Sequence, residues 1–157
     1  EKVYQVVTPR TPKRTSSNVQ ILYHGTTYLN AGCIIQGGFK VPKTARVGRA
    51  YGDGVYFSDV ASKVMQYVSS MFGHGDSGGV VFVCEVDLGN MLVLDTTNHH
   101  MATTWMNHGY DSVFAAKGAP LSGGGGGRKL LNSEHCIADP SRIKILYAMD
   151  MTRRSRR

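Results

Sequence analysis

The sequence lacks several features that would each place it in a common protein class. No apolar run approaches the roughly 20 residues that a transmembrane helix needs, so we expect no membrane span. There is no Walker motif and no GxSxG turn, and the one glycine pattern, GRAYGDG, does not open a helix after a strand. These absences exclude P-loop, hydrolase-elbow and Rossmann sites. We also find no secretory signal peptide.

Cysteines are few and widely spaced, at Cys33, Cys84 and Cys136, with no CxxC pair. This usage predicts reduced thiols and a cytoplasmic or nuclear setting. A secreted effector remains an alternative, because the sequence begins at Glu1 without a methionine and could be excised from a longer chain.

Metal ligands at suitable spacing are also missing. The histidines cluster at His99, His100 and His108, with no cysteine or carboxylate at a zinc-like distance along the chain. We therefore expect no metal site.

Net charge is confined to the two ends of the chain. The total is +7, yet residues 15–152 hold ten basic and ten acidic side chains. Nucleic-acid binding, acidic-partner binding and a localisation signal are the functional interpretations of such ends. The alternative, which we favour, is that the basic ends at 8–18 and 152–157 are flexible and solubilising.

The hydrophobic pattern predicts many strands and few helices. There is no long repeat and no alternation of strands with helices, which favours a single α+β domain over residues 1–157 with a mostly antiparallel sheet. The strands are predicted at 2–7, 20–24, 54–58, 79–88, 91–95, 111–115, 134–139 and 142–149, the fourth of them central and buried on both faces.

Three helices and one mobile loop complete the prediction. A helix over 28–36 should end at Gly37-Gly38. A second helix of about three turns should begin with Asp59 as N-cap. A third is expected over 98–108, and the glycine run in 118–127 predicts a flexible loop. The apolar stripe of the second helix would consist of Val60, Val64, Met65 and Val68.

Four side chains attract attention, although each alone has an ordinary structural explanation. His24 follows a short strand in ILYHGTT and precedes a glycine. Tyr56 and Tyr67 could face each other across a strand–helix hairpin and sandwich a flat heterocycle. Glu134 begins an apolar strand directly after the glycine loop, where a carboxylate could accept hydrogen bonds from a sugar.

Taken together, six segments in order resemble the poly(ADP-ribose) polymerase family of ADP-ribosyltransferases, the diphtheria-toxin-like branch. They are LYHGTT, GDGVYFSDVASKVMQY, VDLG, GYDSV, GAPLSG and LLNSEHCIAD, and they cover about residues 20–149. The resemblance implies a split, mostly antiparallel β core with a few short helices and an NAD⁺ cleft. The family's histidine–tyrosine–glutamate triad falls on His24, Tyr56 and Glu134.

The resemblance also implies roles for individual residues. His24 and Thr26 would lie at the adenosine ribose, and Gly25 would pair its backbone with the nicotinamide amide. Glu134 would hold the 2′-hydroxyl of the nicotinamide ribose. Tyr56 and Tyr67 would stack on the nicotinamide ring, Lys63 would reach towards the ribose or acceptor, and Lys40 occupies the donor loop where relatives often carry arginine.

One position departs from the family pattern. The usual Ser-Lys-Ser run reads Ser62-Lys63-Val64 here, and valine cannot donate the expected hydrogen bond to the amide. A lost neutral hydrogen bond costs about 0.5–1.5 kcal/mol, which predicts weaker NAD⁺ binding and not inactivity.

The predicted function is therefore NAD⁺-dependent ADP-ribosyl transfer, with NAD⁺ consumed as substrate and no metal. The acceptor would be a protein or, given the basic ends, a nucleic acid, and the enzyme would act as a monomer. Mono- and poly-transfer both stay open. The alternative is a catalytically silent module that binds NAD⁺ or ADP-ribose.

Overall fold

A computed structural model describes residues 2–7, 11–41, 49–68, 78–95, 99–121 and 129–151. Within them eight strands form two four-stranded sheets, with strand orders β1-β8-β4-β2 and β3-β7-β6-β5. The predicted α+β class and split, mostly antiparallel core are confirmed. The strands are β1 (Lys2–Gln5), β2 (Val19–Thr27), β3 (Val55–Phe57), β4 (Gly79–Asp87), β5 (Met91–Leu94), β6 (Ser112–Ala115), β7 (Glu134–Ile137) and β8 (Ile143–Asp150).

The first sheet carries the larger part of the core. β4 lies between β2 and β8, and its Phe82, Cys84 and Val86 are completely buried in the main apolar cluster. The opposite face of β4 is buried at Val81 and Asp87 but only partly covered between them, at Val83 and Glu85. The strand is central as predicted, and the expectation that both faces are buried holds except at partly covered positions such as Val83 and Glu85.

The second sheet contains the one parallel pairing among the described strands. β5 runs parallel to β6, while β7 pairs antiparallel with both β6 and β3. The two sheets meet where the backbone groups of Tyr23 in β2 and Ser58, just after β3, hydrogen-bond to each other at 2.8 and 3.0 Å. This junction brings the middle of β2 beside the end of β3.

The first helix, α1 (Tyr28–Gly37), confirms the predicted helix over 28–36. The hydroxyl of Thr27 accepts a hydrogen bond from the N–H of Asn30, which is a standard N-cap. At the other end the N–H of Gly38 donates to the carbonyl of Ile34, and Gly38 has a φ of 77°. That left-handed conformation favours glycine, so the Gly37-Gly38 pair stops the helix as expected.

The second helix is much shorter than predicted. α2 (Ala61–Val64) is a single turn, followed by a 3₁₀ helix over Met65–Tyr67. Its N-cap is Val60, not Asp59, and the carboxylate of Asp59 instead accepts a hydrogen bond from the hydroxyl of Ser133. The predicted three-turn helix with an Asp59 cap was therefore wrong, although Val64 and Val68 are buried.

The third predicted helix is also absent from the described part of the chain. Residues 99–108 form two short 3₁₀ helices, His99–Met101 and Trp105–His108. Trp105 is completely buried in the second apolar cluster, and its indole N–H donates to the carbonyl of Tyr51 at 2.7 Å. Residues 122–128, most of the predicted glycine loop, lie outside the described residues.

Part of the amino-terminal basic segment contacts the first sheet. Arg14 pairs with Glu85, and the backbone N–H groups of Thr15 and Ser16 donate to Asp87. Lys13 donates its backbone N–H to the carbonyl of Ser141 at 2.8 Å. These bonds hold residues 13–16 against the rest of the fold. Residues 8–10 and 152–157 are outside the described part, so flexibility there stays a prediction.

Within the described residues no helix has the length and apolar character needed to cross a bilayer.

Candidate active site

One open pocket, with about 380 Å³ of empty space that extends into solvent, lies where the two sheets meet. β2, β3, α2 and β7 each contribute to its wall. The lining contains seven residues singled out from the sequence, together with Phe57 and Ser58, which were not. The seven are His24, Gly25, Tyr56, Lys63, Val64, Tyr67 and Glu134.

His24 is fixed by a hydrogen bond and by aromatic packing. Its Nδ1 lies 2.8 Å from the carbonyl oxygen of Tyr56, and since a carbonyl only accepts, Nδ1 carries the proton. The ring packs edge-on against Phe39 at 5.0 Å and contacts Phe57 at 5.5 Å. Burial lowers the pKa of His24 and the Tyr56 bond opposes it, so near neutral pH the Nε2 lone pair is a hydrogen-bond acceptor.

Gly25 is required where it stands because β2 and α2 approach each other closely. A Cβ at residue 25 would lie 2.0 Å from the carbonyl oxygen of Val64. The direction of the Gly25 backbone groups follows from the pairing of β2. The N–H and C=O of Tyr23 bond to Ser58, on the side away from β4, and Gly25 is two residues further along the strand. In an extended strand the N–H and C=O of Gly25 therefore also point away from β4, towards the pocket.

Tyr56 is clamped at its hydroxyl. It accepts from the backbone N–H of Tyr51 at 2.9 Å and donates to the carbonyl of Gly52 at 2.8 Å. Gly52 has a φ of 83°, a conformation that favours glycine and turns both backbone groups towards the phenol. Burial is the main cause that raises the pKa of Tyr56, so the phenol stays neutral and its ring orientation is set by the turn.

Glu134 forms an ion pair with Lys63 inside the pocket. The Lys63 Nζ lies 2.5 Å from Glu134 Oε1, and the two side chains are only 6% and 12% exposed. Lys63 also donates to the carbonyl of Asn132 at 3.4 Å. The sequence expectation had directed Lys63 to a ribose or acceptor, and its direct contact with the carboxylate was not foreseen.

A second set of contacts fixes the backbone just before Glu134, and sequence reasoning missed it. The hydroxyl of Ser58 donates to the carbonyl of Ser133 at 3.1 Å, and the hydroxyl of Ser133 donates to Asp59. The start of β7 is thereby held against the segment that follows β3. The only sequence signal was the pair of small polar residues beside the motif residues.

Val64 and Tyr67 line the pocket in different ways. Val64 is 3% exposed and packs with Val68 and Val81 in a small apolar cluster. Tyr67 is 40% exposed at the pocket rim. Burial and the charge of Glu134 raise the pKa of Tyr67. The rings of Tyr56 and Tyr67 share the pocket, but no ring-to-ring contact between them occurs in the described part of the chain.

Thr26 and Lys40 do not line this pocket. Thr26 is buried in β2, opposite Val80 of β4, while Lys40 is exposed after α1. Residues 42–48 of the predicted donor loop lie outside the described residues. The described residues contain no cluster of histidine, cysteine or carboxylate side chains that could hold a metal ion.

Comparison with known proteins identifies the family of the chain. The family model described as the poly(ADP-ribose) polymerase catalytic domain matches residues 5–120, which is well over half of the chain. The chain belongs to this family. The matched segment holds His24, Gly25, Tyr56 and Lys63 and ends before β7, so Glu134 lies outside it.

Individual relatives extend the match. Poly [ADP-ribose] polymerase 1 of Gallus gallus is 25% identical over 158 residues, which covers 89% of this chain and 15% of the relative. Poly [ADP-ribose] polymerase 2 of Arabidopsis thaliana is 37% identical over 79 residues, 49% of this chain and 12% of the relative. Protein mono-ADP-ribosyltransferase PARP4 of Mus musculus is 34% identical over 104 residues, 61% of this chain and 5% of the relative.

The chain therefore spans only a small part of the length of these poly(ADP-ribose) polymerase relatives. The match identifies a catalytic domain family, and the similar proteins include poly(ADP-ribose) polymerases and a protein named a mono-ADP-ribosyltransferase.

Proposed function

We propose that this chain is an NAD⁺-dependent ADP-ribosyltransferase and that the pocket at the sheet junction is its donor site. The observation that carries the proposal is the convergence of His24, Tyr56 and Glu134, from three different strands, on one pocket of a poly(ADP-ribose) polymerase domain. His24 and Glu134 are 110 positions apart in the sequence and line the same pocket, which is not expected by chance.

The donor side of the pocket suits a nicotinamide riboside. The N–H and C=O of Gly25 offer one donor and one acceptor to a carboxamide, which can answer with its carbonyl oxygen and one of its two N–H groups. The clamped ring of Tyr56 and the ring of Tyr67 offer flat apolar surface to the pyridinium. The neutral imidazole of His24 offers its Nε2 lone pair to a ribose hydroxyl. Thr26 and Lys40, which do not line the pocket, would act on the adenosine side.

Glu134 would supply the electrostatic part of the reaction. The bond between C1′ of the ribose and the ring nitrogen breaks, and its electron pair leaves with nicotinamide, which becomes neutral. Positive charge then develops on the ribose, and a carboxylate held nearby stabilises it more than it stabilises the ground state. An acceptor lone pair forms the new bond to C1′, and the acceptor's proton is released. Lys63 holds the carboxylate in place through Oε1.

The acceptor would be a macromolecule, with protein as the first candidate and a nucleic acid as the second. Single-unit and chain products both fit the chemistry, because Glu134 can polarise an acceptor hydroxyl in either case. A denaturing gel of labelled product separates them, as one sharp band or a ladder. We further propose a monomer that works in the cytoplasm or nucleus.

The deciding experiment compares wild type with Glu134→Gln in an assay of free nicotinamide from NAD⁺. We expect the variant to lose about 10²–10³-fold in rate, because an uncharged amide cannot offset the developing positive charge. Gln keeps an acceptor oxygen for Lys63, so folding should persist. Wild-type release no faster than that of the variant, with protein, DNA and RNA each offered as acceptor, contradicts the proposal. Calorimetric NAD⁺ binding in that case identifies a silent binding module.

A further inference from the structure

Ser58 lines the pocket and bonds to each of the other elements in its wall. The residue follows β3 directly and is 1% exposed. Its backbone N–H and C=O bond to Tyr23 of β2, at 3.0 and 2.8 Å. Its hydroxyl accepts from the backbone N–H of Val60, the N-cap of α2, at 3.2 Å. The same hydroxyl donates to the carbonyl of Ser133, just before β7, at 3.1 Å.

The hydroxyl of Ser58 is suited to a bridge inside the protein. A serine hydroxyl has a single hydrogen to donate, and here the carbonyl of Ser133 accepts it. The N–H of Val60 uses one of its acceptor sites. A buried hydroxyl with both kinds of bond made is stable where it stands, and it connects the start of α2 to the start of β7.

The two segments that this bridge connects carry the two members of the ion pair in the pocket. On one side, the carbonyl of Val60 accepts from the backbone N–H of Lys63 at 3.1 Å, so the position of Val60 bears directly on Lys63. On the other side, the carbonyl of Ser133 belongs to the planar peptide group that includes the nitrogen of Glu134. A bond to that carbonyl therefore restricts the direction in which the side chain of Glu134 leaves the backbone.

We propose that Ser58 is a positioning residue for the Lys63–Glu134 pair, through its hydroxyl bridge between α2 and β7. The inference rests on the proposed transferase function. Its consequence is that the hydroxyl holds the carboxylate in the orientation that meets the positive charge developing on the ribose. NAD⁺ binding depends on it less, because the bonds between Ser58 and Tyr23 that place β2 are made by the backbone.

Ser58→Ala tests the bridge, because it removes the hydroxyl and keeps the backbone bonds to Tyr23. The bond between Ser133 and Asp59 also remains, so the two segments are loosened and not released. We expect kcat for nicotinamide release, per folded molecule, to fall about two- to tenfold, the size of one neutral hydrogen bond. The affinity for NAD⁺ in calorimetry should fall less than kcat. An unchanged kcat overturns the inference, and so does an affinity that falls as much as kcat.

Ser112→Ala is the matched control. Ser112 is completely buried, and its hydroxyl donates to the carbonyl of Leu88 at 2.6 Å, outside the pocket lining. Both variants thus lose a buried bond from a serine hydroxyl to a backbone carbonyl, and both should be less stable in urea denaturation. The control should keep the wild-type kcat per folded molecule. Equal losses of kcat in the two variants would attribute the effect to general destabilisation and overturn the inference.

A double-mutant cycle with Glu134→Gln tests whether Ser58 acts through the carboxylate. Slow residual release by Glu134→Gln can be followed with labelled NAD⁺. In this background Ser58→Ala should have little further effect, because the charge that the bridge orients is already absent. A loss by the same factor in both backgrounds means that Ser58 acts independently of Glu134, which contradicts the proposal.

Hydrogen exchange gives a readout that needs no activity. The amide of Val60 should exchange about two- to tenfold faster in Ser58→Ala than in wild type, because it loses its acceptor, while the amides of β6 should not change. Unaltered exchange at Val60 contradicts the bridge. Wild type that releases no nicotinamide defeats the proposed function instead, so the two failures are told apart.

Discussion

Among the described residues, two ion pairs hold a carboxylate that is at most 12% exposed against a buried cationic side chain, and they differ in how completely the carboxylate is bonded. At one end of the first sheet, Asp87 accepts hydrogen bonds from Thr15, Ser16 and Gly89 and pairs with Arg142 at 3.3 Å. In the cleft, Glu134 accepts from Lys63 on one oxygen, and no bond to its other oxygen occurs among the described residues.

The difference separates a structural carboxylate from one available to a ligand. Burial opposes ionisation of Asp87, yet the hydrogen bonds from Ser16, Thr15 and Gly89 outweigh it and hold the pKa of Asp87 well below its ordinary value. Such a saturated group has no capacity left for a substrate. Glu134 retains that capacity, because a single lysine partner satisfies only part of its acceptor sites.

Asp87→Asn should give the largest effect on folding. The amide places an N–H₂ among groups that all donate, and Arg142 keeps Asp111, which is 36% exposed, as its one carboxylate partner among the described residues, beside its bond to the Thr15 hydroxyl. We expect a loss of about 3–5 kcal/mol in the free energy of unfolding, the usual result when a buried ion pair is broken. Urea denaturation measures it, and nicotinamide release per folded molecule should be unchanged.

Glu134→Gln is the matched change in the cleft. Lys63 keeps the amide oxygen and the carbonyl of Asn132, so we expect a loss of only about 1 kcal/mol in stability. Equal losses of stability in the two variants would remove the distinction between the clusters.

Acidification should affect the two regions in different pH ranges. His135, beside Glu134 in β7, is 2% exposed, and its ring packs at a tilt against Phe114 with the ring centroids 4.7 Å apart. Burial lowers its pKa from 6.5 to about 4, although Asp59 opposes the shift. Below pH 6.5 the unfolded chain binds a proton that the folded chain does not, so stability is lost as the pH falls towards 4.

The expected loss is on the order of 2–3 kcal/mol between about pH 7 and about pH 4, and His24, whose pKa is also lowered, adds in the same direction. The stability that Asp87 contributes is lost only when the pH falls below its ordinary pKa of 3.8, because its pKa is lowered in the folded protein. Denaturant titration at several pH values measures both phases. His135→Gln should flatten the first phase, and the exposed His108→Gln should not. If the loss of stability between about pH 7 and about pH 4 is unchanged in His135→Gln, another group causes it.

Val64→Thr should have the smallest effect, confined to the cleft. Threonine keeps the shape of valine and adds the hydroxyl that the family's serine would supply. We expect about two- to tenfold tighter NAD⁺ binding by calorimetry, the contribution of one neutral hydrogen bond. Val68→Thr, in the same apolar cluster but not in the pocket lining, is the control and should leave NAD⁺ affinity unaltered. Identical affinities in all three proteins would show that residue 64 does not contact the amide.

Elements governed by local chemistry were predictable from the sequence. The Gly37-Gly38 stop of α1 and the central position of β4 follow from glycine conformation and an apolar run. β2 extends beyond the predicted 20–24 because Thr26 and Thr27 pair with β4, which no local signal announces. α2 was overestimated because Asp59 binds Ser133, a residue 74 positions away, in place of capping a helix.

The residues of the candidate site were also predictable from the sequence, whereas the contacts between them were not. The motif order drew attention to His24, Tyr56 and Glu134, since the resemblance fixes residue identities. It could not reveal the Lys63–Glu134 pair, the Tyr56 hydroxyl clamp or the support of Ser133. Those contacts depend on tertiary distances between segments whose own sequences favour turns and strand ends.

The close approach of α2 to β2 at Gly25 has a consequence for how this pocket can change. The distance between β2 and α2 requires glycine at position 25, because the Cβ of any other residue would lie 2.0 Å from the carbonyl oxygen of Val64. A larger residue at 25 must displace α2, and Lys63 and Tyr67 move with it. The shape of the pocket thus depends on residue 25, whereas its chemistry depends on other residues. A single substitution at 25 can abolish the cavity while every reactive group stays intact.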